Sequence, residues 1–190
     1  MSSDWEKVAA GIARQVEDFL AGLERFASGE GGDKTVPLLL LEVSQILLAG
    51  AKLGTSEDII PPDNTEPEVG DDPDLDGVRQ RLSERLAPVD YYSEVFDPYE
   101  DSEVLIYQLS DDLADMAVDL VHGLRHFNAG RPIEALWWWQ FSYLNHWGNH
   151  AGAALRALQA VVAHSRLDVT AVEGADWAGT VAAGAAGKTG

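Results

Sequence analysis

The chain has 190 residues, a length for one domain, and 46% of them are hydrophobic, enough to bury a core. Its formal net charge of −19 argues against direct binding to nucleic-acid phosphate or anionic lipid and fits basic partners or cations. There is no cysteine, so disulfide and thiolate chemistry are excluded and a reducing cytoplasm is compatible.

The first residues, M-S-S-D-W-E-K, show no basic region followed by an apolar core, so no signal peptide is expected. Residues 4–27 repeat Trp5, Val8, Ile12, Val16, Phe19, Leu20, Leu23 and Phe26 at three- and four-residue spacing, which predicts an amphipathic helix with Asp4 as its N-cap. The stretch S-G-E-G-G stops it. A second, more apolar helix is predicted over 35–53, with Pro37 in its first turn and Gly54 as C-cap. Its run Pro37 to Leu53 is interrupted by Glu42, Ser44, Gln45 and Lys52 and is shorter than the ~20 apolar residues a spanning helix needs. The expectation is a soluble, cytoplasmic protein.

Thr55 to Asp76 holds nine acids and no base and reads as a long acidic loop, either ordered for a reason or partly disordered. A short helix from Leu75 to Leu86 carries Arg79, Arg81 and Arg85 beside those acids, where charge neutralisation is the simplest reading. The aromatic stretch around Tyr91 to Tyr99 is extended or turn-like. Two long helices follow, roughly Glu103 to Asn128, with a restart at Ser110 as a variant, and Pro132 to His164. The link A-G-R between them is so tight that they must be antiparallel neighbours. Residues 169–190 are rich in Ala and Gly and are expected to be disordered. No alternating strand pattern of useful length is visible.

The candidate chemistry lies on this last hairpin. His146 and His150, four apart, present both rings on one side of the second helix. On the first helix, Asp112 and Asp119 fall at the edge of the apolar arc, with Asp115 further toward solvent. Counting outward from Gly130 places Asp112 and Asp115 level with His146 and His150. Two carboxylates facing two imidazoles can hold a divalent metal or act as a general acid/base pair. Glu42, in the middle of the apolar stripe of the second helix, is a candidate further ligand, because a carboxylate there is costly unless paired.

A plainer reading stands beside this one. Helix-borne Asp and His at the border of an apolar face often only hydrogen-bond each other. Asp111 and Asp112 also suit the first turn of a helix capped by Ser110, and Glu42 can pair with Arg14 or Arg25. Trp138 falls on the polar side of its helix, so it is either exposed for a partner or covered by the loop around Tyr91 to Tyr99. Gly148 and Gly152 suggest close approach of another backbone or a bend beside the histidines. His122, His126 and His164 read as scattered surface residues. No phosphate-cradling glycine loop, nucleophile elbow or H-E-x-x-H occurs.

The run S-D-D-L-A-D-M-A-V-D-L, then H-F-N-A-G-R-P-I-E-A-L-W-W-W-Q-F-S-Y-L-N-H-W-G-N-H-A-G-A-A-L-R-A-L, preceded by Y-Y-S-E-V-F-D-P-Y-E-D-S-E, resembles the bacterial family catalogued as domain of unknown function 5063. The resemblance implies a small all-helical bacterial domain and lends no catalytic residue. Actinobacterial members encoded near a recombination mediator hint at a repair-related partner.

The expected fold is therefore all-α: a single helical-bundle domain over residues 1–168, of about five helices, ending in the antiparallel hairpin. Two functional classes follow. One is a non-enzymatic interaction or scaffold protein that meets a basic protein partner through Trp138 and the acidic loops. The other is a metal-dependent hydrolase built on Asp112, Asp115, His146, His150 and Glu42, in which a divalent metal polarises the substrate.

Overall fold

The computed structural model describes residues 2–61, 66–68, 70–95, 99 and 103–167. The tail 169–190, expected to be disordered, lies outside the described residues.

Helix α1 spans Ser2–Ala27, and a single 3-10 turn, Gly32–Lys34, leads into α2, Thr35–Gly54. Helix α1 starts two residues before Asp4, so Asp4 sits in its first turn, not at the N-cap. Helix α3 is Asp76–Leu86, strands β1 and β2 are Tyr91–Glu94 and Leu105–Gln108, and α4 is Leu109–Asn128. The last long helix is composite: α5, Pro132–Ser142, a π-helical turn, Tyr143–Trp147, and α6, Gly148–Leu167.

The fold is mostly helical but not all-α. Tyr91 pairs with Gln108, Tyr92 with Tyr107, Ser93 with Ile106 and Glu94 with Leu105 in a two-stranded antiparallel sheet. Residues 105–108 had been assigned to the following helix. Their aromatic and branched side chains suit a strand once a partner strand is present, and that pairing overrides local helix propensity.

What starts α4 is a residue from outside it. Asp90, buried, accepts the backbone N–H of Ser110 at 2.9 Å and its hydroxyl at 2.9 Å, and also the Ser83 hydroxyl at 2.9 Å. Its own carbonyl accepts Leu109 N–H at 2.8 Å. Asp90 thus supplies the N-terminal cap that was expected of Ser110, and it ties α3, β1 and α4 together. At the other end, Gly130 has a φ of 75°, and Arg131 N–H returns to the His126 carbonyl at 3.0 Å, closing the helix in a Schellman-type turn. That turn sends α5 back along α4.

The core is continuous. Leu113, Met116 and Leu120 of α4 meet Trp139 and Trp147, with Phe19 of α1 and Leu39 and Ile46 of α2 closing the layer. Helix α2 with its preceding turn, Gly32–Gly54, has a mean hydropathy of 1.6 over its most apolar window and is long and apolar enough to cross a membrane. The run Pro37 to Leu53 alone is shorter than this, and the turn before it supplies the added length. Here the helix packs between α1 and α6, with Leu39, Val43, Ile46 and Leu53 buried.

The π-helical turn has a local cause. A Cβ at Gly148 would lie 2.2 Å from the Tyr143 carbonyl oxygen, so only glycine admits the widened turn at that place. The close approach anticipated at Gly148 therefore comes from its own helix. Gly152 meets nothing within 4 Å.

The candidate site, a polar seam between two helices

Helix α4 carries polar side chains at positions 112, 119 and 126, seven apart and so on one face. Each is buried, and each meets a partner from the antiparallel helix. His150 Nδ1 lies 2.8 Å from Asp112 Oδ1, His146 Nδ1 lies 2.7 Å from Asp119 Oδ2, and His126 Nδ1 lies 3.0 Å from Glu134 Oε2. The other oxygen of Asp112, Oδ2, accepts the Tyr92 hydroxyl at 2.5 Å. Carboxylates only accept, so Nδ1 of His146 and of His150 carries the proton. The two rings stand edge to face, with centroids 4.8 Å apart.

Burial differs along the seam. The Asp112 side chain is 2% exposed and that of His150 16%, whereas His146 is half exposed. The hydrogen bond that His150 donates to Asp112 raises the His150 pKa above its ordinary value, against the opposing effect of burial. Burial raises the Asp119 carboxyl, and its bond to His146 only partly offsets this. Burial likewise pushes the Tyr92 hydroxyl up, with the Asp112 charge adding to the shift.

The five residues expected to form a metal set do not come together. Asp115 shares a concavity with His146 but its carboxylate accepts from Arg79 Nη2 at 2.9 Å, with Asp111 also near that guanidinium at 3.6 Å. Glu42 lies 4.0 Å from Arg25 Nη2 of α1, the second of the two pairings weighed for it. Burial raises the Glu42 pKa, and Arg25 counters that shift. Asp112, His146 and His150 remain in the seam, joined by Asp119 and Tyr92, which had not been placed in the set. Among the described residues no three His, Cys, Asp or Glu are placed to hold a metal ion.

Two further histidines are not surface residues. His122 and His126 are both nearly fully buried. His122 Nε2 meets Asp72 of the acidic loop at 3.0 Å, and its ring packs edge-on against Trp138. Their place on the apolar side of α4, with His126 seven residues from Asp119, was the available signal. Trp138 is half-buried. Its indole N–H donates to the Asp119 carbonyl at 2.8 Å, so α4 itself supplies much of its cover. Its ring also touches Trp137 and Phe141.

A concavity adjoins the seam and another lies apart from it. The first, of about 610 Å³, opens between the β-hairpin and α6, and His150, Asp112, Tyr107 and Arg156 line it. The other, of about 380 Å³, is a groove of Ile60, Trp137, Phe141 and Leu144 edged by Asp58 and Glu66.

A mostly helical bundle with a short hairpin and an interhelical Asp/His seam is the class of protein these features define. The chain belongs to the family described as Domain of unknown function (DUF5063), whose sequence profile matches residues 3–164. In structure it is similar to protein BF1032 from Bacteroides fragilis, known from a crystal structure. The TM-score is 0.63 at 21% identity, covering 79% of this chain and 89% of that one, a likeness of fold. No curated protein matches the chain.

Proposed function

We propose that this chain is a non-enzymatic protein-interaction domain that takes a basic, amphipathic segment of a protein partner, in a cytoplasmic setting. The observation that carries this reading is the groove over α5. Ile60, Phe141 and Leu144 are 63%, 42% and 61% exposed, although each is a large apolar side chain. Phe141 stacks on Trp137 with centroids 5.2 Å apart, and that pair rests on Trp138. An aromatic centre with a rigid base is the usual anatomy of a binding hot spot. The edge is acidic, through Asp58 and Glu66, and the net charge of −19 steers cations toward it.

The hydrolase reading draws less support. Its five residues fall into separate contacts, and two of the acids are held by arginines.

A display selection of short helical peptides against the whole chain tests the proposal. Enrichment of sequences with Lys or Arg on one face and Leu or Phe on the other is expected, and it should vanish when Phe141→Asp and Leu144→Asp are combined. Enrichment that survives the double substitution, or none at all, overturns it.

A further inference from the structure

The larger cavity is separate from that groove and has a different chemistry. Its floor is α6 at Gly148, Gly152 and Ala153, and at Gly152 the missing side chain leaves open space. Its walls are Tyr107 and Val95 from the hairpin, and Arg156 stands at its edge.

Among the described residues, the two carboxylates that line it, Asp112 and Glu94, already have donors. Asp112 accepts from His150 on one oxygen and from Tyr92 on the other. Glu94 accepts Val95 N–H at 3.0 Å on Oε1, and Arg156 at 3.1 Å (Nε) and 2.9 Å (Nη2) on Oε2. The valences left over are donors. His150 is anchored through Nδ1, which leaves Nε2 as the end available to a ligand. Arg156 commits Nε and Nη2 to Glu94, which leaves Nη1.

We propose that this cavity binds a small organic monocarboxylate, with His150 and Arg156 donating to its charged end and Tyr107, Val95 and Ala153 contacting its apolar body. The donors explain the choice. Among the described residues, Asp112 is paired with His150 and Tyr92, and Glu94 with Arg156, so a carboxylate meets the remaining donors, His150 Nε2 and Arg156 Nη1, and no unpaired acid. The volume of about 610 Å³ is that of a small-molecule site. Asp112 and Tyr92 fix the imidazole ring before the ligand arrives, so little ordering is left for binding to supply.

The test uses 4-fluorobenzoate followed by fluorine NMR on the whole chain at about pH 6. Saturable binding is expected, with 4-fluorobenzyl alcohol, the neutral analogue, failing to bind. His150→Gln and Arg156→Gln should each weaken it by about tenfold or more. Gly152→Leu is the control for folding. Its Cβ meets nothing within 4 Å, and leucine favours a helix over glycine, so the fold should persist while the side chain fills the cavity and binding disappears. The proposal is overturned if Gly152→Leu binds as the wild type does, or if the alcohol binds as well as the acid. It is also overturned if neither 4-fluorobenzoate nor a panel of aliphatic and aromatic monocarboxylates binds at all.

Discussion

Asp112 on α4 and His150 on α6 are joined by a 2.8 Å hydrogen bond between residues 38 apart in the chain. The Tyr92 hydroxyl closes the other side of the same carboxylate. One buried acid therefore fixes the hairpin, the central helix and the last helix to each other. A buried carboxylate that loses a donor carries the desolvation cost alone. Tyr92→Phe should lower stability by about 1–2 kcal/mol in urea unfolding, since a charged acceptor is left one bond short. An unchanged midpoint would mean that the hydroxyl is not needed there.

The histidines give the chain an opposed pH response. The bond to Asp112 raises the His150 pKa above its unfolded value near 6.5, so its contribution is complete below that value and is lost as pH rises through the folded pKa. Burial, with Arg131 nearby, lowers the His126 pKa, so the unfolded chain takes the proton first and stability falls as pH drops below about 6.5. NMR titration of the ring protons should find His150 above and His126 below the ordinary histidine midpoint. Asp112→Asn should bring His150 down. The reverse order would contradict the assignment.

Asp90 caps α4 from a distance. Asp90→Ala strips the acceptor from Ser110 N–H, two serine hydroxyls and the Gln108 amide at 3.2 Å, all in a buried setting. The expected loss is about 2–4 kcal/mol, more than an exposed cap gives, and it should appear as fraying of the first turn of α4 in hydrogen exchange. A loss below about 0.5 kcal/mol would show that Ser110 caps the helix unaided.

The start of the acidic loop is held by Gln140. Its amide donates to the Leu53 carbonyl at 2.8 Å and the Glu57 carbonyl at 3.2 Å, and its oxygen accepts Ile59 N–H at 2.9 Å. Ile59 enters the core. The loop is thus pinned at its first residues, and at Asp72 by His122, which a purely solvated acidic segment would not be. Gln140→Ala should cost about 2–3 kcal/mol and speed amide exchange at Ile59. Exchange at Ile59 equal to the wild type would contradict the pin.

Helices α1 and α2 were legible because apolar residues recur at helical spacing over several turns, and the hairpin because A-G-R leaves no room for another path. The strands were not legible. Each has four residues, too few to show alternation, and Leu105, Ile106 and Tyr107 run straight into the apolar pattern of α4. Height along the hairpin places Asp112 and Asp115 level with His146 and His150; Asp112 meets His150, while His146 meets Asp119. Asp115 and Asp119 both lie at a usable height, and the π-helical turn shifts the azimuth of the following residues. Arg79, from a helix whose docking no local pattern reveals, then takes Asp115. Glu42 lies 4.0 Å from Arg25 of α1, one of the two arginines that its place in an apolar stripe brings into question.

The central claim is that an apolar groove within an acidic surface receives a basic amphipathic segment. The most direct measurement is a fluorescence-anisotropy titration of one such helical peptide against the wild type and Phe141→Asp at two salt concentrations. Charge alone would bind Phe141→Asp at least as tightly as the wild type, because the substitution adds another acid. The account predicts at least about tenfold weaker binding to Phe141→Asp, an unchanged thermal midpoint, and affinity for the wild type that falls with salt. Equal or tighter binding to Phe141→Asp would contradict it.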